Sequence, residues 1–486
     1  MTERPAGKVF ETGGINPRFA NAVTAVRGKL TLKANQYREM LDRGEGGSLP
    51  FDRVVECNIG NPQALGQQPV TFVRQVLSCM EYPELVDMPA AAKIFPRDVL
   101  ARARTLLEKI PGGLGAYSES QGALYVRQAV ARFIEARDGY PSDPADIYLT
   151  DGASEAVKLA LQVCIRGPDD AILVPIPQYP LYSGSINLFE GSLVGYYLSE
   201  ETGWSLDVAE VRKAIRGARA EGKTPRALCI INPGNPTGNT LSLANQRDIV
   251  ALCKEERVVL MADEVYQANL YVLDKPFTSF KKVAQDMGYT ADDLELFSFH
   301  SVSKGFLGEC GRRGGYVECW GIAPEAKQAM YRMIALGLCA NVVGQVTTEL
   351  MVNPPKEGEP SYPLYAKERD ELLASLHRRA TLFHNAFNEM EGVTCNPAEG
   401  ALYLFPKITL PRKALQAAAD QGVAPDAFYA EALLDNTGIC IVPGSGFKQV
   451  EGTYHLRVAF LPREEDIAAV VGKMTDFHNK FMRDYR

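Results

Sequence analysis

The sequence predicts an α/β protein built on a mostly parallel β-sheet. Three observations lead there: short apolar runs recur through the middle of the chain, helical patterns separate them, and residues with chemical character follow the runs at their C-terminal ends. The seven strand candidates are Ile147–Thr150, Ala171–Val174, Leu193–Tyr197, Ala227–Ile231, Val258–Ala262, Leu294–Phe299 and Gly315–Cys319. Among the helices, Ser154–Arg166 places apolar residues at 156, 157, 160, 161, 164 and 165, a 3.6-residue period. Others fall near Asp207–Ala220 and Ser242–Glu256. The breaker Asn353-Pro354-Pro355 opens a polar Gly/Pro-rich stretch to Pro363. A charged helix from about Leu364 and strand-like runs at Ala401–Pro406 and Tyr454–Phe460 follow it. The expected organisation is a large domain over residues 65–350 with the seven-stranded sheet. Residues 1–64 and 351–486 would form a smaller α+β domain.

Composition narrows the function classes. The 486 residues carry a net charge of −7, with no basic footprint for nucleic acid or anionic lipid. Any anion bound here must be gripped by a few placed groups. No apolar run reaches membrane-helix length. The ten cysteines form no CxxC pair and the five histidines no ligand spacing, so neither a disulfide framework nor a metal site is expected. Near the N-terminus, Arg4, Lys8, Arg18 and Arg27 are mixed with Glu3 and Glu11 and precede any serine, which reads poorly as a transit peptide. A cytoplasmic location is the default expectation.

Five segments carry chemistry. Lys304 lies in Ser301-Val302-Ser303-Lys304-Gly305, directly after a predicted strand, where open α/β sheets bind ligands. A lysine amine can condense with an aldehyde to a Schiff base, the linkage that pyridoxal 5'-phosphate (PLP) requires. Alone, Ser-x-x-Lys would read better as a surface lysine in a turn; its company changes that. The loop Asn232-Pro233-Gly234-Asn235-Pro236-Thr237-Gly238 follows another strand, and the Asn235 amide could donate to a ring oxygen. Asp263, ending a further strand, could pair with a protonated ring nitrogen; Tyr266 could reach the oxygen served by Asn235. Taken alone, Asp263 would read better as the cap of a following helix.

In Thr150-Asp151-Gly152-Ala153-Ser154, a helix start at Ala153 and Ser154 offers free N–H groups for a phosphate, and Ser154 could serve as N-cap. Arg313 would add a bidentate partner. The form Gly311-Arg312-Arg313-Gly314-Gly315-Tyr316 favours Arg313, while spacing from the lysine leaves Arg312 open. Finally, strand alternation sets Arg457 opposite Leu456 and Val458, as a carboxylate clamp or as half of an internal salt bridge.

In this order, the segments resemble the class I, fold type I PLP-dependent aminotransferases. Cys57-Asn58-Ile59-Gly60-Asn61-Pro62, Tyr117-Ser118-Glu119-Ser120-Gln121-Gly122 and Lys304-Gly305-Phe306-Leu307-Gly308-Glu309-Cys310-Gly311 look like the alanine aminotransferase group, which includes glutamate:glyoxylate enzymes. The resemblance implies transfer of an amino group from L-alanine to 2-oxoglutarate, with PLP bound through Lys304. It further implies that Tyr179 stacks on the cofactor ring, that Ser301 binds its phosphate and that Gly60 contacts substrate beside Asn235 and Arg457. Tyr117 would reach the cofactor of a neighbouring subunit, which makes the protein a homodimer. Competing readings are a lyase or decarboxylase on the same scaffold, and a PLP-fold transcriptional regulator, for which no helix-turn-helix pattern precedes the fold.

Overall fold

The computed structural model describes residue 10, residues 14–20 and residues 28–486. Glu3, Arg4, Lys8, Glu11 and Arg27, weighed above as leader features, lie outside the described residues, as does part of the 1–64 segment. Eight strands make the central sheet. They are β1 (Ile147–Thr150), β2 (Asp170–Ile176), β3 (Ser192–Ser199), β4 (Ser205–Leu206), β5 (Thr224–Ile231), β6 (Val259–Asp263), β7 (Leu296–Ser301) and β8 (Gly315–Trp320). Their spatial order is β1-β8-β7-β6-β5-β2-β3-β4. From β7 through β3 every pairing is parallel. β8 runs against both of its neighbours, and β4 runs against β3. The sheet thus has one strand more than the seven expected: β4, two residues long, extends the edge.

Strands covered on both faces must be apolar throughout, and β2, with Ala171, Ile172, Leu173 and Val174, is buried along its whole length. The helix Ala153–Cys164 shows the complementary pattern. Its apolar positions Ala156, Val157, Ala160, Leu161 and Cys164 are buried and join Phe297 and Phe299 of β7 and Val317 and Cys319 of β8 in one cluster. Larger side chains among them, such as Leu161 and Phe297, each contribute about 1.5–3 kcal/mol by leaving water.

A second core lies toward the C-terminus. It packs the helices Tyr362–Glu389 and Glu464–Asp484 against the short strands Tyr403–Leu404 and Leu456–Ala459. The run Ala401–Pro406 yields only two strand residues, Tyr403–Leu404; its start is delayed by Ala401, whose positive φ of 59° interrupts an extended chain. Val55–Glu56 pairs in parallel with Ile439–Cys440. The Ala459 N–H then donates to the Cys57 carbonyl at 2.8 Å, which leads residues 55–60 across to the sheet.

Candidate active site

Parallel pairing puts the C-terminal ends of β2, β5, β6 and β7 on one edge of the sheet. A cavity of about 730 Å³ opens there. Each strand end delivers groups to it: Tyr179 follows β2, Asn235 follows β5, Asp263 ends β6 with Tyr266 just beyond, and Lys304 lies just past Ser301 of β7. Gly60, Tyr403 and Arg457 close the cavity from the C-terminal core's side.

The Lys304 amine donates to the Gly60 carbonyl at 2.6 Å. Gly60 has to be glycine. A Cβ there would stand 2.1 Å from the Tyr403 hydroxyl and 2.9 Å from Lys304 Nζ.

Asp263 is buried. The Tyr182 hydroxyl donates to its Oδ2 at 3.1 Å, and its Oδ1 has no partner among the described residues. Burial pushes its pKa up to about 6, against the opposing pull of Tyr182, the Val265 N–H and the Lys304 charge. A turn, not a helix, follows β6, so Asp263 caps nothing.

Arg457 is 1% exposed, and among the described residues no carboxylate pairs with it. Its Nη1 donates to Asn235 Oδ1 at 3.1 Å and its Nη2 to the Asn58 carbonyl, while Nε has no partner among the described residues. The guanidinium packs on two rings, 4.2 Å from the centroid of Tyr403 and 4.8 Å from that of Phe447. The salt-bridge alternative for Arg457 therefore finds no support.

The opposite end of the cavity is built for an anion. Ala153 and Ser154 open their helix beneath Gly152, whose φ of 80° and ψ of 168° turn the chain into it. Gly152 is the N-cap and no side chain caps this helix, which corrects the assignment of that role to Ser154. Ser301 Oγ donates to the Gly314 carbonyl at 3.0 Å, and Ser303 lies beside it. Arg313 lines the cavity, its guanidinium held by the carbonyls of Asp151 at 2.8 Å and Cys310 at 3.0 Å. Arg312 is not among the lining residues; its Nε lies 3.9 Å from a Glu309 carboxylate oxygen. Tyr266 lines the cavity with its hydroxyl 3.4 Å from that of Tyr403. Tyr117 does not line it and is 76% exposed.

Sequence reasoning missed Tyr403, Tyr182, Asn58 and Cys310. Tyr182 had a signal, since it sits one helical turn after Tyr179 and so shares its face. Tyr403 had none, because the run around it read as a plain buried strand.

The residues present fit PLP. Asp263 keeps a buried oxygen free for a ring nitrogen, Lys304 offers an amine, and the Gly152 turn leaves a cradle with Ser154, Ser301 and Arg313 around it. The relatives of the chain agree. The sequence profile of the family described as aminotransferase class I and II matches residues 87–473. The chain is 53% identical over 470 residues to a protein of Dictyostelium discoideum named probable alanine aminotransferase, mitochondrial, covering 96% of this chain and 88% of that one. It is 48% identical over 479 residues to glutamate–glyoxylate aminotransferase 2 of Arabidopsis thaliana, covering 98% of both. Its fold is similar to the solved alanine aminotransferase of Pyrococcus furiosus, with a TM-score of 0.75 at 23% identity over 96% of this chain and all of that one. Matched over most of its length by that profile and about half identical to its relatives, the chain belongs to the class I and II aminotransferases, PLP-dependent transaminases of fold type I.

Proposed function

We propose that this protein transfers the amino group of L-alanine to 2-oxoglutarate, giving pyruvate and L-glutamate, with Lys304 as the catalytic amine. The observation that carries the reading is the meeting of Lys304, Asp263 and Arg457 in one cavity. The name of the Dictyostelium relative supports alanine as the amino donor.

When bound, PLP supplies an aldehyde that carries the amino group and a protonated ring that accepts the electron pair left at the substrate's Cα. In our reading Asp263 would hold that ring's nitrogen, Asn235 and Tyr266 its oxygen, and Tyr179 its face. Ala153, Ser154, Ser301 and Arg313 would hold the phosphate. Arg457, with Asn235 and Gly60, holds the substrate's α-carboxylate and so turns the Cα–H toward Lys304. Lys304 Nζ removes the Cα proton. As an amine at the end of a flexible stem, it can reach a proton that a carboxylate fixed in a strand cannot.

Mixing the cofactor-loaded protein with single amino acids and following loss of its visible absorbance tests this. Alanine and glutamate should react fastest, with ping-pong kinetics. Release of ammonia or carbon dioxide instead would assign the site to a lyase or decarboxylase. A second reading, glutamate:glyoxylate transfer, is favoured by the Arabidopsis relative. Comparing kcat/KM for alanine with 2-oxoglutarate against glutamate with glyoxylate separates the two.

Three further proposals accompany this one. A homodimer would let the exposed Tyr117 serve the partner's cofactor site, and sedimentation of the protein together with a mixed-subunit complementation assay reads it. The chain divides into residues 65–350 and residues 1–64 with 351–486. Its compartment is the cytoplasm, although the Dictyostelium relative is named mitochondrial; no helix among the described residues is long and apolar enough to cross a membrane.

A further inference from the structure

One side chain lies beside both halves of the proposed chemistry, the carboxylate clamp and the amine. Tyr403 is 2% exposed, on the short strand Tyr403–Leu404 of the C-terminal core. Its ring lies 4.2 Å from the Arg457 guanidinium. Its hydroxyl crowds the same point above Gly60 as Lys304 Nζ, and stands 3.4 Å from the Tyr266 hydroxyl. Charged or titratable groups face it from several sides: Lys304, Arg457, Tyr266, Tyr179 and Cys310. Burial alone would raise its pKa, yet the positive charges of Lys304 and Arg457 and the bond with Tyr266 bring it below the ordinary phenol value.

We propose that Tyr403 is a positioning residue that ties the carboxylate clamp to the proton-carrying amine. Its ring fixes the plane of Arg457, and its hydroxyl fixes where Lys304 Nζ stands over Gly60. The two functions reside in different atoms of one side chain, so they separate on substitution. A phenyl ring keeps the stacking and loses the hydroxyl; an aliphatic chain loses both. A residue that only filled space would show no such split, because phenylalanine fills nearly the same volume.

The inference rests on the alanine transaminase reading, and the experiment keeps the two apart. Wild type, Y403F and Y403L are compared in steady-state kinetics with alanine and 2-oxoglutarate. The cofactor-free proteins are compared for binding of pyruvate by calorimetry. The expected result is that Y403F lowers kcat about tenfold or more, with KM for alanine and pyruvate affinity within about threefold of wild type, as for loss of an interaction made on the way to the transition state. Y403L should in addition weaken pyruvate binding and raise KM by about tenfold, through the displaced Arg457. The visible absorbance of cofactor-loaded Y403F should also change colour at a different pH from wild type, since a neighbour of Lys304 has gone. Y403F with wild-type kcat and an unmoved colour change would overturn the proposal, as would equal losses of kcat and of pyruvate binding in both variants. Failure of the wild type itself to transaminate alanine would instead remove the reading beneath it.

Discussion

Lys304 is the residue on which the chemistry turns, and its neighbours dictate what each substitution should do. Lys304→Ala removes the only lysine amine that lines the cavity among the described residues. Turnover should fall to background while PLP still binds non-covalently through the phosphate-end groups, read as a cofactor that dialyses away. A variant with half of wild-type activity would refute the assignment. Arg457→Lys keeps the charge but loses the planar fork that reaches Asn235 and Asn58 together. The expected loss in kcat/KM for alanine is about 1.5–3 kcal/mol, roughly ten- to a hundredfold, with most of it in KM. For Asp263→Asn, the free buried oxygen no longer carries charge, and kcat should fall by at least about a hundredfold, as when one preorganised electrostatic partner is removed.

At the scale of elements, the site depends on how strands and helices stop. Gly152 holds a backbone conformation that only glycine adopts freely, and an added Cβ would lie 2.6 Å from Arg313 Nη2. Gly152→Ala should cost about 1–3 kcal/mol in stability, measured by denaturant unfolding, and should weaken PLP binding in a fluorescence titration. Much of this framework was legible in the sequence. The core strands appear within three residues of where their apolar runs lie, because a strand buried on both faces has to be apolar along its length. The loops after β5, β6 and β7 were legible for a related reason: prolines, glycines and charges interrupt apolar runs abruptly. What was not legible had weak local signals. β4 is two residues, too short for any period, and pairs with β3 across a loop that holds the 3-10 turn Glu200–Thr202. Tyr403 gains its meaning from Lys304, Gly60 and Arg457, which lie far away in the chain and close only in space.

For the whole molecule, the sheet's buried charges link stability to pH. Glu264, next to Asp263, is 1% exposed, and burial pushes its pKa up to about 8 from an ordinary 4.5, against the Arg137 charge and the Phe280 N–H. A raised carboxyl favours the folded state fully below its unfolded value and loses that contribution as pH rises through the folded one. Glu264→Gln should therefore raise the Tm relative to wild type at about pH 9, by up to a few kcal/mol of stability, and the gain should vanish near pH 4. His300 acts in the opposite direction: burial lowers it to about 3, so its contribution is complete above 6.5 and lost as pH falls. Thermal melts across that range of pH check both signs.

The stretch from Val55 to Gly60 has a consequence for how the gene can be cut. It is stitched to Ile439 and Cys440 at one end and supplies the carbonyl that Lys304 holds at the other. A shortened protein starting beyond Gly60 would lose a catalytic wall along with a structural seam, and its missing piece, added back as a peptide, should restore both or neither.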